Sequence, residues 1–271
     1  MSLNIEIRKV YLSSMAGHIA VHLEGDEGAP VVLMAHSILS SSAMWDEQSS
    51  VLAANGFRVV RMDTRGHGLS DAPKPPYAMA DLVADSIAIM NALDIQKAHY
   101  VGLSLGGMTG FGLAINHPER FHQFIICDAR ADAPPDFSAP WDDRIAIAKA
   151  QGCTALAQAT IERWFGKDFV ATHSQVSNKL ISIASNTSTD GFIGCAMAIQ
   201  GLNYLSQLRE ISVSTTLLVG ANDGPLPQAM SEIGQLISGS ILDVINGSGH
   251  LPNIDQGEVF NAALLKALNT S

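Results

Sequence analysis

A chain of 271 residues, 47% apolar and with a net charge of −10, can bury the core of one α/β domain of ordinary size. The acidic balance disfavours nucleic acid and anionic membrane surfaces as partners. No apolar run reaches the roughly 18 residues of a membrane-spanning helix, so no membrane span is expected.

An anionic substrate would have to be held by a local cation, because the chain as a whole repels it. The first residues lack the basic region and apolar run of a secretory leader, so the expected location is cytoplasmic. Cys127, Cys153 and Cys195 have neither metal-ligand nor disulfide spacing. They read as buried thiols in a reducing compartment.

Glu6 to Leu12 and His18 to Glu24 alternate as two antiparallel strands, with Ala16-Gly17 between them. Pro30 to Ala35 is a continuous apolar run, the pattern of a strand buried on both faces. It runs into His36-Ser37-Ile38 and a serine-rich loop. Trp45 to Asn55 reads as a helix closed by Gly56, and Arg58 to Met62 as the next strand. Asp63 to Ser70 is a turn-rich loop, extended by Pro73, Pro75 and Pro76. Met79, Leu82, Val83, Ile87, Met90 and Leu93 recur at helical spacing.

His99-Tyr100-Val101 then leads into Gly102-Leu103-Ser104-Leu105-Gly106-Gly107, and a long apolar helix leads out from Met108. Phe124 to Cys127 is another buried strand. From Asp128 the strand–helix alternation stops. Residues 133–140 read as loop, and helical segments are predicted near 141–151, 153–165, 173–185 and 190–203. Helices alone, set into alternating strands and helices, are the pattern of a lid inserted into a core. The strands Thr215 to Gly220 and Ile241 to Ile245 resume the core, and a helix from Val259 to Leu268 closes it. This divides the chain into a core of residues 1–128 and 209–271 and a lid of residues 129–208.

The stretch at 102–107 reads G-x-S-x-G-G. A strand, a sharp turn and a helix would put Ser104 at the tip of the turn and at a helix N-terminus. A serine hydroxyl needs a base within reach and a group to orient that base. In sheets with such an elbow the partners follow in the order serine, acid, histidine. Ser104, Asp223 and His250 match that order, and the last two lie just beyond predicted strands, where reactive side chains gather.

Asp128 is a rival to Asp223, because it also follows a strand and precedes His250. The oxyanion of an acyl-transfer intermediate needs backbone N–H donors. Leu105 is one candidate and Ile38 the other, with Ser37 as the alternative to Ile38. His36 and His67 fit no metal-ligand spacing and read as loop-ordering side chains, so no metal is expected.

On these residues the chain resembles the α/β-hydrolase superfamily. The elbow, Asp63-x-Arg65-Gly66-His67-Gly68-x-Ser70, Gly220-x-x-Asp223 and Gly249-His250 carry the resemblance. Trp141-Asp142-Asp143-Arg144-Ile145, Glu162-Arg163-Trp164-Phe165 and Asp168-Phe169 narrow it to the 3-oxoadipate enol-lactonases.

The resemblance implies a mostly parallel eight-stranded sheet with helices on both faces and an inserted helical lid. It also implies a Ser104–Asp223–His250 triad, oxyanion donors at Ile38 and Leu105, no cofactor, and hydrolysis of an enol-lactone in aromatic-acid catabolism. Two departures stand out. Family members often have Asn-Ser-Leu-Gly where this chain has His36-Ser37-Ile38-Leu39, and the arginine expected after the sixth strand is displaced to Arg130.

Substrate selection falls to the lid, with Trp141, Trp164 and Met197 as apolar walls. Arg130 and Arg144 are candidates for holding a carboxylate, against the alternative of a solvated face or an internal ion pair. The expected partner is a small ester or lactone, and nothing in the pattern sets an oligomeric state. The alternatives are a general carboxylesterase or another lactonase. Less favoured is a non-catalytic binding protein, which would be expected to have lost a triad member.

Overall fold

The computed structural model describes residues 5–269. Residues 1–4, part of the stretch read for a leader, lie outside them. The core is an eight-stranded sheet in the order β1-β2-β4-β3-β5-β6-β7-β8. The strands are β1 Glu6–Leu12, β2 Gly17–Glu24, β3 Val31–Ala35, β4 Arg58–Met62, β5 Ala98–Leu103, β6 Phe121–Cys127, β7 Ser214–Gly220 and β8 Ile241–Ile245. β1 pairs antiparallel with β2, and β2 with β4; every later pairing is parallel.

Every residue of β4 and β5 is buried, as expected of central strands covered on both faces, although β4 carries Arg58 and Arg61 and β5 carries His99. The edge strands β1 and β8 leave more of their side chains exposed. The helices of the core are α1 Asp46–Ala54, α2 Met79–Ala92 and α3 Leu105–Asn116. α3 is buried over nearly its whole length, because it packs against β3, β5 and β6 and is flanked by α2.

The lid lies between β6 and β7. It contains α4 Pro135–Ser138, α5 Pro140–Gln151, α6 Thr154–Phe165, α7 Lys167–Thr172, α8 Ser174–Ser185 and α9 Thr189–Gln200. Gly152 and Gly166, both at positive φ, end α5 and α6. Ser188 caps α9 by accepting from Gly191 N–H. Asp132 and Asn203 form an isolated antiparallel bridge, so the insertion leaves and rejoins the core at one place.

Three lid segments correct the sequence reading: α4 falls where only loop is expected, α7 falls between two predicted helices, and α9 stops at Gln200 rather than 203. After β7 come α10 Leu226–Leu236, α11 Pro252–Asp255 and α12 Gly257–Asn269. α12 packs on α1, with the rings of Trp45 and Phe260 6.0 Å apart. Among the described residues no helix is long and apolar enough to cross a membrane. The three cysteines are free and buried.

Candidate active site

Ser104 sits between β5 and α3 with φ +57° and ψ −113°, a strained backbone of the kind that marks functional turns. The glycines on either side permit it. A Cβ on Gly102 would overlap the carbonyl of Gly106, and one on Gly106 would overlap the carbonyl of Ala35. Ser104 N–H donates to the Cys127 carbonyl at 2.9 Å, and Gly106 N–H to the His36 carbonyl at 3.1 Å. The turn is therefore tied to β6 on one side and to the loop after β3 on the other. Leu105 is the first residue of α3, so its N–H has no carbonyl partner within the helix.

Asp223 follows β7 and His250 follows β8. His250 Nδ1 lies 2.6 Å from Asp223 Oδ2, so a carboxylate orients the imidazole and leaves Nε2 free. Asp223 N–H donates to the Gly220 carbonyl, and Asn222 N–H to the Ser248 carbonyl. Asp255 cinches the histidine loop by accepting from Ser248 Oγ at 2.5 Å and Gly249 N–H at 2.7 Å. His250 N–H donates to the carbonyl of Trp164, a lid residue, at 2.8 Å, and the two rings lie 6.1 Å apart. The lid and the histidine loop are thus fastened together.

Burial works to raise the Asp223 carboxyl's pKa. The charge and hydrogen bond of His250, a hydrogen bond from Asp128 and the charge of Arg163 outweigh it and hold the pKa below its ordinary value. Asp128, the rival acid, makes no hydrogen bond to His250 among the described residues. Its Oδ1 accepts from Gly220 N–H at 2.9 Å. Burial, and then the nearby Asp223 charge, push its pKa well above the carboxylate range.

Ser104, Asp223 and His250 line one cavity of about 280 Å³ beneath the lid. That is at the small end of ligand sites. Ile38 borders the floor, and its N–H makes no hydrogen bond among the described residues. Phe137, Trp141, Trp164 and Ile199 give apolar walls. Met197, expected among them, is instead 40% exposed, and α9 reaches the cavity through Ile199. Ser37 is also away from the cavity: its N–H meets Met44 Sδ at 3.4 Å and its hydroxyl donates to the Ile38 carbonyl at 3.4 Å.

Three arginines line the cavity. Arg130 is engaged, with Nη2 3.0 Å from Asp132 Oδ1 and its guanidinium over the Phe137 ring. Arg144 lies over the Trp141 ring at 4.6 Å. Arg163 is not among the carboxylate-holding candidates that the sequence suggests, although its Glu-Arg-Trp-Phe segment stands out there. Neither Arg144 nor Arg163 makes an ion pair or side-chain hydrogen bond among the described residues. Arg163 keeps much of its surface in solvent. Even so, burial of its guanidinium, then the charge of Arg144, pull its pKa down to about 10, with Asp223 acting the other way. Burial likewise lowers Arg144. Two neighbouring cations, both lowered and neither ion-paired, are an arrangement that an anion would relieve.

The family model described as the alpha/beta hydrolase fold matches residues 30–256. The chain belongs to that family. Within it, this alpha/beta hydrolase is of the serine-hydrolase type and is related to enol-lactonases and esterases. It is 32% identical over 241 residues to 3-oxoadipate enol-lactonase 2 of Acinetobacter baylyi, covering 89% of each chain. The crystal structure of the enol-lactonase from Burkholderia xenovorans superposes with a TM-score of 0.91 at 28% identity, over 97% of this chain and 100% of that one. A thermophilic esterase from Thermogutta terrifontis, solved with malate bound, gives a TM-score of 0.89 at 25% identity, covering 98% of both chains.

In this hydrolase the loop at 36–39 keeps a left-handed residue without a glycine: Leu39 has φ +59°. That costs a non-glycine residue about 1–2 kcal/mol. Burying the leucine, only 3% exposed, contributes about 1.5–3 kcal/mol in return.

Two neutral histidines hold the loop. Leu39 N–H donates to His67 Nε2 at 3.2 Å, and His67 Nδ1 donates to the Arg65 carbonyl at 3.2 Å. Thr64 N–H donates to His36 Nε2 at 2.9 Å, and His36 Nδ1 donates to the Ser37 carbonyl at 2.8 Å. Protonating either ring would turn an accepted N–H into two donors facing each other. The histidines thus order loops, as their spacing suggests.

Burial, then the neighbouring His36, pulls His67 down to about 3 from 6.5. The unfolded chain therefore takes up a proton that the folded one refuses. His67's contribution to stability is fully present above about pH 6.5 and is lost as pH falls toward 3, at about 1.4 kcal/mol per pH unit. Urea midpoints measured between about pH 6.5 and 4.5, where most carboxylates remain ionised, should fall less steeply for His67→Gln than for the unaltered protein. Equal slopes would contradict a neutral His67.

Proposed function

We propose that this protein hydrolyses a small lactone or ester bearing a carboxylate, with 3-oxoadipate enol-lactone as the best candidate substrate. The observation that carries this reading is the pair Arg144 and Arg163, neither in an ion pair among the described residues, in the cavity that Ser104 lines. The enol-lactonase relatives support the choice of ring. In this reading the core, residues 1–128 and 209–271, supplies the reacting groups, and the lid, residues 129–208, supplies the selectivity.

Ser104 Oγ attacks the lactone carbonyl while His250 Nε2 takes its proton. Asp223 holds the ring and stabilises the imidazolium. The N–H groups of Ile38 and Leu105 receive the oxyanion, each worth roughly 3 kcal/mol. Collapse of the intermediate breaks the ring C–O bond and expels an enol, which tautomerises to a ketone. Water, activated by the same imidazole, then attacks the acyl-enzyme and releases the acid. This chemistry needs no cofactor or metal. Arg144 and Arg163 hold the substrate's carboxylate against the walls of Trp141 and Trp164, and Arg130 stays with Asp132.

The apolar walls also suit a neutral ester, which keeps a general carboxylesterase as the second reading. Turnover of carboxylated lactones against neutral esters separates the two. Arg144→Ala and Arg163→Ala should each raise KM for the anionic lactone by about 10- to 100-fold, the scale of one hydrogen bond to a charged group, and leave KM for a neutral ester unchanged. Equal effects on both substrates would remove the carboxylate assignment.

A further inference from the structure

At the end of β6 lies a carboxyl group that the reaction above does not use. Asp128 is fully buried, with a left-handed backbone at φ +45°, a conformation that Asp tolerates better than most residues. Its N–H donates to the Leu218 carbonyl at 3.0 Å, and its Oδ1 accepts from Gly220 N–H at 2.9 Å. These two bonds clamp the end of β6 to β7. Oδ2 receives no hydrogen bond from any N–H or O–H donor among the described residues. The Asp128 carboxyl lies within hydrogen-bonding reach of the Asp223 carboxyl. Asp128, Asp223 and His250 each bring a polar atom to one spot, all within 4.8 Å of one another.

Two carboxyl groups this close, one fully buried and the other part-buried, do not both ionise. Asp223 has the stronger claim to the charge, since His250 Nδ1 lies at 2.6 Å and Arg163 acts on it from the lid. Asp128 has a single backbone N–H and no cation. The other groups around it, the Cys127 thiol and Asp255, give no reason for a negative charge there, and Asp255 adds repulsion. One proton shared by the two acids therefore resides on Asp128. The oxygen that lacks a donor is itself the donor.

We propose that Asp128 is a carboxylic acid whose O–H is hydrogen-bonded to Asp223, and that it positions the carboxylate that orients His250. It touches no substrate; it is a positioning residue behind the triad, and its role rests on the triad reading above. Asparagine can do the same work, because its amide donates to Asp223 while its carbonyl accepts from Gly220 N–H. Alanine can do neither.

Asp128→Ala should lower kcat by about 30-fold, the effect of losing one hydrogen bond to a charged group, with KM little changed. Asp128→Asn should recover most of that loss. Infrared difference spectra at neutral pH, unaltered protein minus Asp128→Asn, should contain a carboxylic-acid C=O band. Asn as impaired as Ala, or no acid band, would overturn the proposal. Should the Ala variant fail to fold, the band and the kcat of the Asn variant decide. Loss of Ser104 reactivity in the unaltered protein would instead sink the triad reading, and the band would still report whether Asp128 holds a proton.

Discussion

Ser104→Ala lowers kcat/KM on esters and lactones by about 10⁴- to 10⁶-fold, the range set by losing the nucleophile of such a triad, and leaves the fold intact. The substitution removes one oxygen and adds no atom. The hydrogen bonds that hold the elbow, Ser104 N–H to the Cys127 carbonyl and Gly106 N–H to the His36 carbonyl, are backbone bonds and survive it. Whatever rate remains comes from binding and from the oxyanion donors. Initial rates on an activated short-chain ester, with circular dichroism on the same samples, measure both halves of the expectation. Full activity in a folded variant would exclude Ser104 as nucleophile.

Asp223→Asn is expected to lower kcat by about 10⁴-fold, with little change in KM. The amide is nearly isosteric, so the cavity keeps its shape. What is lost is the charge facing His250 Nδ1 at 2.6 Å. An amide that turns its NH₂ toward the ring selects the wrong tautomer, and either orientation leaves the imidazolium without a counter-ion. The size of the loss also separates Asp223 from Asp128. If Asp128 were the orienting acid, Asp128→Asn would carry the large defect and Asp223→Asn a small one. Steady-state rates for the two variants side by side give the answer.

The parts of the site that lie at strand ends were legible from residue order. The elbow at Ser104 announces itself by its glycines, and Asp223 and His250 each follow an apolar run by a few residues. Those runs become β7 and β8. A strand end is a local feature, and the parallel sheet converts it into spatial convergence.

The lid was less legible, because which face of each helix turns inward depends on its neighbours. Met197 fits an apolar wall by residue type yet faces solvent, while Ile199 two residues on lines the cavity. Arg163 carries no expectation in the sequence reading; it precedes the buried Trp164 and keeps much of its surface in solvent, yet it also lines the cavity. A signal was present nonetheless: no Asp or Glu stands three or four residues from Arg163 or from Arg144. Neither therefore has a helical ion-pair partner. Arg130 has Asp132 nearby and is paired with it.

Elsewhere, α10 has no counterpart in the sequence reading, though Leu226, Met230 and Ile233 mark its buried face at helical spacing. Pro227 and Gly234 break the pattern for a reader of propensity; a proline in the first turn costs a helix nothing. The left-handed Leu39 was hidden for the opposite reason. A glycine is the usual sign of such a residue, and here burial of the side chain and the His67 acceptor hold the conformation in its absence. The protonation of Asp128 is written in no local pattern, since it follows from the approach of Asp223 across two strand ends.

The most direct measurement is covalent labelling of the unaltered, folded protein with a fluorophosphonate probe, followed by mass spectrometric location of the adduct. A single adduct on Ser104, absent from Ser104→Ala, is the expected result. A folded protein that takes no label, or takes it on another residue, would contradict the central claim that Ser104 is an activated nucleophile.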